Sequence, residues 1–268
     1  MADKTSALRR FSDTGSQYVR LDGVGVDYEL AVARGHIAGA KPYGAYGERV
    51  TTGAESNILW PDGAYALPPA AGVQISFVGG VNDTAAGTGI RTLDFHYLDD
   101  GLIEQIETIA LNGTTPVLSV ATNVRFPTCM HMRTFGSLKA AGSLITASNG
   151  AQVYSQIVAG AVRCSSSVRM VPAGKRLMVT SMWGGSVSGS AAASTKMYMA
   201  SCHFDGHDYT ADSVFFPIGA AAFQDGSGGQ TFKPPLTFDE GATVAMMFST
   251  DKAATIVGSW FGYLEDAT

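Results

Sequence analysis

The sequence predicts an all-β protein, an antiparallel β-sandwich or jelly-roll body with an extended N-terminal arm. Three observations carry that expectation. From Ala54 onward, short apolar runs recur between Gly, Pro, Ser and Asn. Several of these runs alternate apolar and polar residues with the period of two that marks a half-buried strand. Glycine occurs 32 times in 268 residues, a density that favours tight turns over long helices.

Residues 1–50 carry little periodicity. They hold Arg9, Arg10 and Arg20 and the Gly-rich stretch around Pro42. Such a segment lacks the apolar residues to build a core of its own and reads as an arm that packs on neighbours. The body then divides into a first part, 51–160, and a second part, 161–268, with a seam near 159–166.

In the first part, Val73, Ile75 and Phe77 alternate with polar residues, as do Leu93, Phe95 and Tyr97. The stretch 79–89 between them is rich in Gly and Thr and reads as a loop. Asp100-Gly101 supplies a hairpin turn whose two residues favour left-handed geometry. The segment 102–111 would place several Ile and Leu on one helical face, yet turn pairs bracket it and it contains β-branched residues, so it reads as a strand. Further strands are expected over 117–121, 123–126, 143–147 and 152–158. In the second part they are expected over 168–171, 176–183, 196–203, 213–218, 243–248 and 254–264. Two Gly/Ser-rich stretches, 183–194 and 224–230, read as exposed loops that face a partner.

Charged residues make up only 15% of the chain, so much of the surface must consist of small and uncharged polar residues. The net charge is −5 and no Lys/Arg run exceeds two residues, which argues against nucleic acid as a partner. No apolar stretch reaches the length of a membrane span, and the first residues contain no signal-peptide apolar core, so no membrane or secretion step is expected. Cys129, Cys164 and Cys202 are odd in number and widely spaced, which fits free thiols from a reducing cytoplasm better than a disulfide framework.

No local motif supports catalysis or a cofactor. Gly87, Gly89 and Arg91 lie in a turn that enters a strand, where a dinucleotide fingerprint would need a helix. Gly174-Lys175 lacks the upstream glycine of a phosphate loop. His203, Asp205 and His207 alternate as metal ligands could, with Asp208 beside them, but Gly206 ends the strand and lets the side chains diverge. Glu104/Glu107 and Asp99/Asp100 fit solvated edge charges better than a glycosidase acid pair. Cys129 with His131 and Cys202 with His203 are neighbours in sequence alone. The expectation is therefore no enzyme, and no catalytic, cofactor-binding or metal site. Trp60, Trp183 and Trp260 could stack on sugar rings, although Trp60 and Trp260 sit in apolar contexts typical of a core.

Several turn motifs occur in a specific order. Asp83-Thr84-Ala85-Ala86-Gly87-Thr88-Gly89-Ile90-Arg91-Thr92 is followed by Tyr97-Leu98-Asp99 and by Leu111-Asn112-Gly113-Thr114-Thr115-Pro116-Val117. Gly47-Glu48 and Ile58-Leu59-Trp60 precede them, and Met170-Val171-Pro172-Ala173-Gly174-Lys175 follows. Over residues 44–180 this order resembles a family of structural proteins of tailed bacteriophages, encoded among capsid and tail genes. The resemblance implies a virion component, assembled in the host bacterial cytoplasm, with no catalytic residues to carry over. It implies a capsid decoration (cement) protein, a homotrimer whose partners are the major capsid protein and sister subunits. The alternative is a head fibre or tail component that binds the host surface or a glycan in the manner of a lectin.

Overall fold

The computed structural model describes residues 28–63, 65–188, 192–204, 207–208, 216–224 and 226–267. Its first element is a short helix, α1 (Tyr28–Ala33), that buries Ala31 and Val32. Gly35, at φ +70°, ends it: Gly35 N donates to Val32 O and His36 N to Ala31 O, which satisfies the last carbonyls. Among the described residues after α1 there are strands, turns and irregular connections and no further helix.

Four antiparallel sheets hold most of the chain. Sheet I has the order β1 (Lys41–Val50), β18 (Thr255–Asp266), β11 (Lys175–Val187), β16 (Gly226–Phe238). Sheet II runs β10 (Arg169–Met170), β17 (Thr243–Thr250), β12 (Ser194–Ser201), β15 (Phe216–Gln224), and β2 (Glu55–Ile58) also pairs with β17. Sheet III runs β6 (Val117–Leu118), β3 (Ser76–Val78), β8 (Ile145–Asn149), β9 (Gln152–Ile157). Sheet IV runs β5 (Glu104–Ala110), β4 (Ile90–Asp99), β7 (Val124–Phe135). A small hairpin pairs β13 (His203–Phe204) with β14 (His207–Asp208).

Alternating residues turn the apolar faces inward. Sheets I and II share one core, with Trp260, Ile256, Val179 and Met182 facing Met197, Met199, Met246 and Phe248. Sheets III and IV share a second, where Phe95 lies between Phe77 and Tyr97 at ring distances of 5.0 and 5.1 Å. A third cluster, including Trp60, Tyr65, Leu98 and Phe126, joins the two. Burying each such side chain contributes about 1.5–3 kcal/mol.

The all-β expectation holds, but the finer one does not. The strands are spread over several small sheets in a propeller-like arrangement, not wound into one jelly-roll sandwich. The first core draws on residues 45–59 and 171–264, and the second on residues 75–164, so the middle of the chain is set into the rest.

Part of the expected arm is strand. β1 pairs with β18 along its whole length, from Lys41↔Leu264 to Val50↔Thr255; residues 1–27 lie outside the described residues. Strand also reaches into the stretches expected as loops, over 183–187 and 194 of the first and 224 and 226–230 of the second, where β11 and β16 pair through Trp183↔Gly229 and Ser186↔Gly226; residues 189–191 and 225 lie outside the described residues. The hairpin after β4 is present, but its left-handed residue is Leu102 (φ 59°), neither Asp100 nor Gly101. The Asp99 carboxylate holds that turn by accepting from Gly101 N and Ile103 N, while Leu102 packs against the third cluster.

Asp83 organises the loop of 79–89 from within. It is fully buried, and its carboxylate accepts from Gly80 N, Ile90 N, Gly142 N and Ser143 N at 2.8–3.2 Å. As the sequence predicts, this loop is a turn that delivers the chain into β4.

Candidate functional site

The alternation that buries Trp260 turns its neighbours outward. On sheet I the register aligns Tyr46, Ser259, Trp183 and Gly229 in one row across β1, β18, β11 and β16. The next row holds Gly44, Phe261, Ser181 and Thr231. Trp183 is 54% exposed and Phe261 53%. Trp183 lies against Gly229, where a Cβ would meet the indole ring, so only glycine leaves room for the ring to lie across the neighbouring strand. The face is thus a shallow, aromatic surface with small residues between its rings.

At its β1 side the face runs into a cleft of about 600 Å³. One wall is β1 and β18, including Tyr43, Tyr46 and Phe261; the other is β7, the segment that follows β9 and the start of β10, with His131, Arg163 and Arg169. Cys129 and Cys164 also line it and form a disulfide, with Cα atoms 5.7 Å apart. This corrects the expectation of free thiols for that pair. Strand pairing of His131 with Arg163, and the bond from Cys164 N to Met130 O, bring the two cysteines together from positions that sequence spacing does not link.

The lining of the cleft carries Arg163, Arg169 and His131, while the Glu48 carboxylate accepts from the lining Tyr46 hydroxyl at 3.0 Å. Arg163 is exposed and carries no hydrogen bond or ion pair among the described residues, whose ion pairs all lie elsewhere. Arg169 donates through Nη1 to Ser166 O and Val168 O, and burial pulls its guanidinium below the usual arginine range. Burial likewise pushes the Tyr43 phenol up to about 12, against the pull of Arg169. His131 sits 5.0 Å from His96, ring centroid to ring centroid. Burial first, then His96, Arg163 and Arg169, hold His131 below the usual imidazole value, with Asp94 opposing. The cleft can therefore attract a negative group, but it offers no carboxylate pair for acid–base work.

The residues weighed in the sequence fall in separate places. Glu104 binds Lys41 at 2.6 Å, and Glu107 accepts from Val120 N at 2.7 Å. Asp99 closes its turn, and Asp100 accepts from Asn123 Nδ2 at 2.6 Å. Asp205 lies outside the described residues; among the described residues no group of three His, Cys, Asp or Glu could hold a metal ion. Cys202 is buried, and its thiol donates to Thr243 O at 3.8 Å. Trp60 and Trp260 are buried, with Trp260 Nε1 donating to Ser167 O, so of the three tryptophans only Trp183 faces solvent. Sequence reading missed Arg163, Arg169, Tyr46 and Phe261. Their one local signal is the alternation of Phe261 and Ser259 around Trp260.

A second surface lies on sheet IV. β5 pairs with β4 alone among the described strands, leaving its other edge open. Ile103, Ile106, Leu118 and Val120 are exposed by 52, 64, 57 and 86%. The bond from Val120 N to Glu107 sets Leu118 and Val120 beside β5.

No protein-family model, curated protein or solved structure matches the chain.

Proposed function

We propose that the protein is a non-enzymatic structural component of a tailed phage particle, a capsid decoration (cement) protein that acts as a homotrimer and bridges capsid subunits. The turn motifs that resemble the phage family supply the class. The observation that carries the reading is the unpaired edge of β5 among the described strands, together with the exposed apolar residues Ile103, Ile106, Leu118 and Val120 on and near it. An unpaired edge with exposed apolar residues near it suits an assembly, where a neighbouring chain extends the sheet or covers them, while Glu104 and Glu107 on the same strand restrain indiscriminate pairing. Many modest contacts of this kind across a symmetric shell add up through multivalency. In this reading the N-terminal segment, residues 1–50, supplies further contacts to a capsid or sister subunit.

A second reading, a host-facing fibre or tail component that binds a glycan, is favoured by the exposed Trp183 and Phe261 on the outer face of sheet I.

Cryo-electron microscopy of intact particles from the source of this chain is the test. Clusters of its density on three-fold positions of the capsid lattice are expected. Density confined to the tail moves the role to attachment, and absence from the particle removes the structural reading.

A further inference from the structure

The aromatic face of sheet I and the cationic cleft beside it form one continuous surface, because Gly44, Tyr46, Ser259 and Phe261 belong to both. On the face, Tyr46 and Trp183 stand on either side of Ser259, two strand spacings or about 10 Å apart. Phe261 projects from the adjoining row, and Gly44, Ser181 and Gly229 leave low ground between the rings. Such a surface matches a ligand with flat apolar faces and a rim of hydroxyl groups. Among the described residues, exposed Arg163 has no ion-pair partner and no Asp or Glu pairs with Arg169, while Glu48 is engaged by the Tyr46 hydroxyl. Two guanidiniums in a confined space suit one or two carboxylate groups, which they bind by charge-assisted hydrogen bonds. A polyanion would need a longer track of cations, and the net charge of −5 opposes one.

We infer that this surface binds an acidic saccharide, its pyranose rings stacked on Tyr46, Phe261 and Trp183 and a uronate carboxylate held in the cleft by Arg163 and Arg169. The inference deepens the glycan reading above and does not depend on the capsid reading. The Cys129–Cys164 disulfide helps fix the geometry by joining β7 to the strand-like segment that carries Arg163.

The test is isothermal titration calorimetry of the full chain with tetrasaccharides of galacturonate, mannuronate, guluronate and glucuronate. Each is paired with its carboxyl-reduced, neutral counterpart. At least one uronate tetramer is expected to bind, and its neutral form about tenfold more weakly or worse. Arg163→Ala and Trp183→Ala should each weaken binding by about tenfold. Both side chains are exposed, so an unchanged melting temperature confirms that the variants fold. Equal binding of the acidic and neutral forms overturns the role of the cleft and leaves a neutral-glycan site. Failure of all four uronates overturns the inference. Equally tight binding of polyphosphate and duplex DNA that vanishes with salt also overturns it, by showing a general polyanion surface. Particle occupancy of Trp183→Ala separates this result from the capsid reading, which expects that variant to remain on particles.

Discussion

The carboxylate of Asp83 accepts the amide of Gly142 at 2.8 Å across 59 positions of sequence. The same carboxylate takes three further amides, so a single buried side chain ties the loop of 79–89 to the loop that precedes β8. Four backbone donors lose their acceptor if it is removed. Asp83→Ala should therefore cost about 3 kcal/mol or more, read from urea unfolding. A change below about 0.5 kcal/mol would show that water replaces the carboxylate without loss.

The Cys129–Cys164 disulfide closes a loop with a sequence separation of 35. In the chain-entropy account such a cross-link contributes about 2–4 kcal/mol. Reduction, or the Cys129→Ser/Cys164→Ser pair, is expected to lower the urea midpoint accordingly. Peptide mapping without reductant should recover the linked pair, and alkylation of all three cysteines in unreduced, denatured protein would refute the bond.

The open edge of β5 predicts a separation of folding from assembly. Ile106→Lys and Val120→Lys place charge on exposed positions, so stability should stay within about 0.5 kcal/mol of the parent. Self-association and particle occupancy should fall. If both survive the double substitution, this margin is not an interface.

His131 gives a pH prediction. Its folded-state value is held below the usual imidazole value of 6.5, chiefly by burial and then by His96, Arg163 and Arg169. Below 6.5 the unfolded chain therefore binds more protons than the folded one, and stability rises with pH across that window. Acidification from pH 7 should lower the unfolding midpoint, and His131→Asn should flatten the slope. An unaltered slope in that variant would assign the effect to other groups.

Strands with large alternating residues are legible in the sequence: the β4–β5 hairpin, β9, β17 and β18 lie close to where the pattern places them. β1 and β16 escape for a physical reason. The inward residues of β1 include Ala45 and Gly47, small enough to pack under Trp260 and Leu59 but too small to make an apolar pattern. β16 begins with Gly and Ser and carries Pro234 and Pro235, so its identity as a strand comes from pairing with β11, not from local preference. The cleft was out of reach for the same reason. Tyr43, His131, Arg163 and Phe261 come from remote parts of the chain, and only the sheet register brings them to one place.

β2 and β10 have a consequence of another kind. Both pair antiparallel with β17, β2 at residues 247–250 and β10 at residues 243–244, on the edge that β12 leaves free. Ser167 N donates to Leu59 O at 3.1 Å, so the chain returns to sheet II beside the point where it left. The two strands are halves of one edge strand, interrupted by everything between them. A short splice from Leu59 to Ser167 would restore that strand without crossing any other, which makes the intervening module a cassette. Exchanging it would keep the scaffold and its aromatic face only if the new module re-covers Met170, Ala200 and Ala245, which the present one buries in one cluster with Leu98 and Phe126.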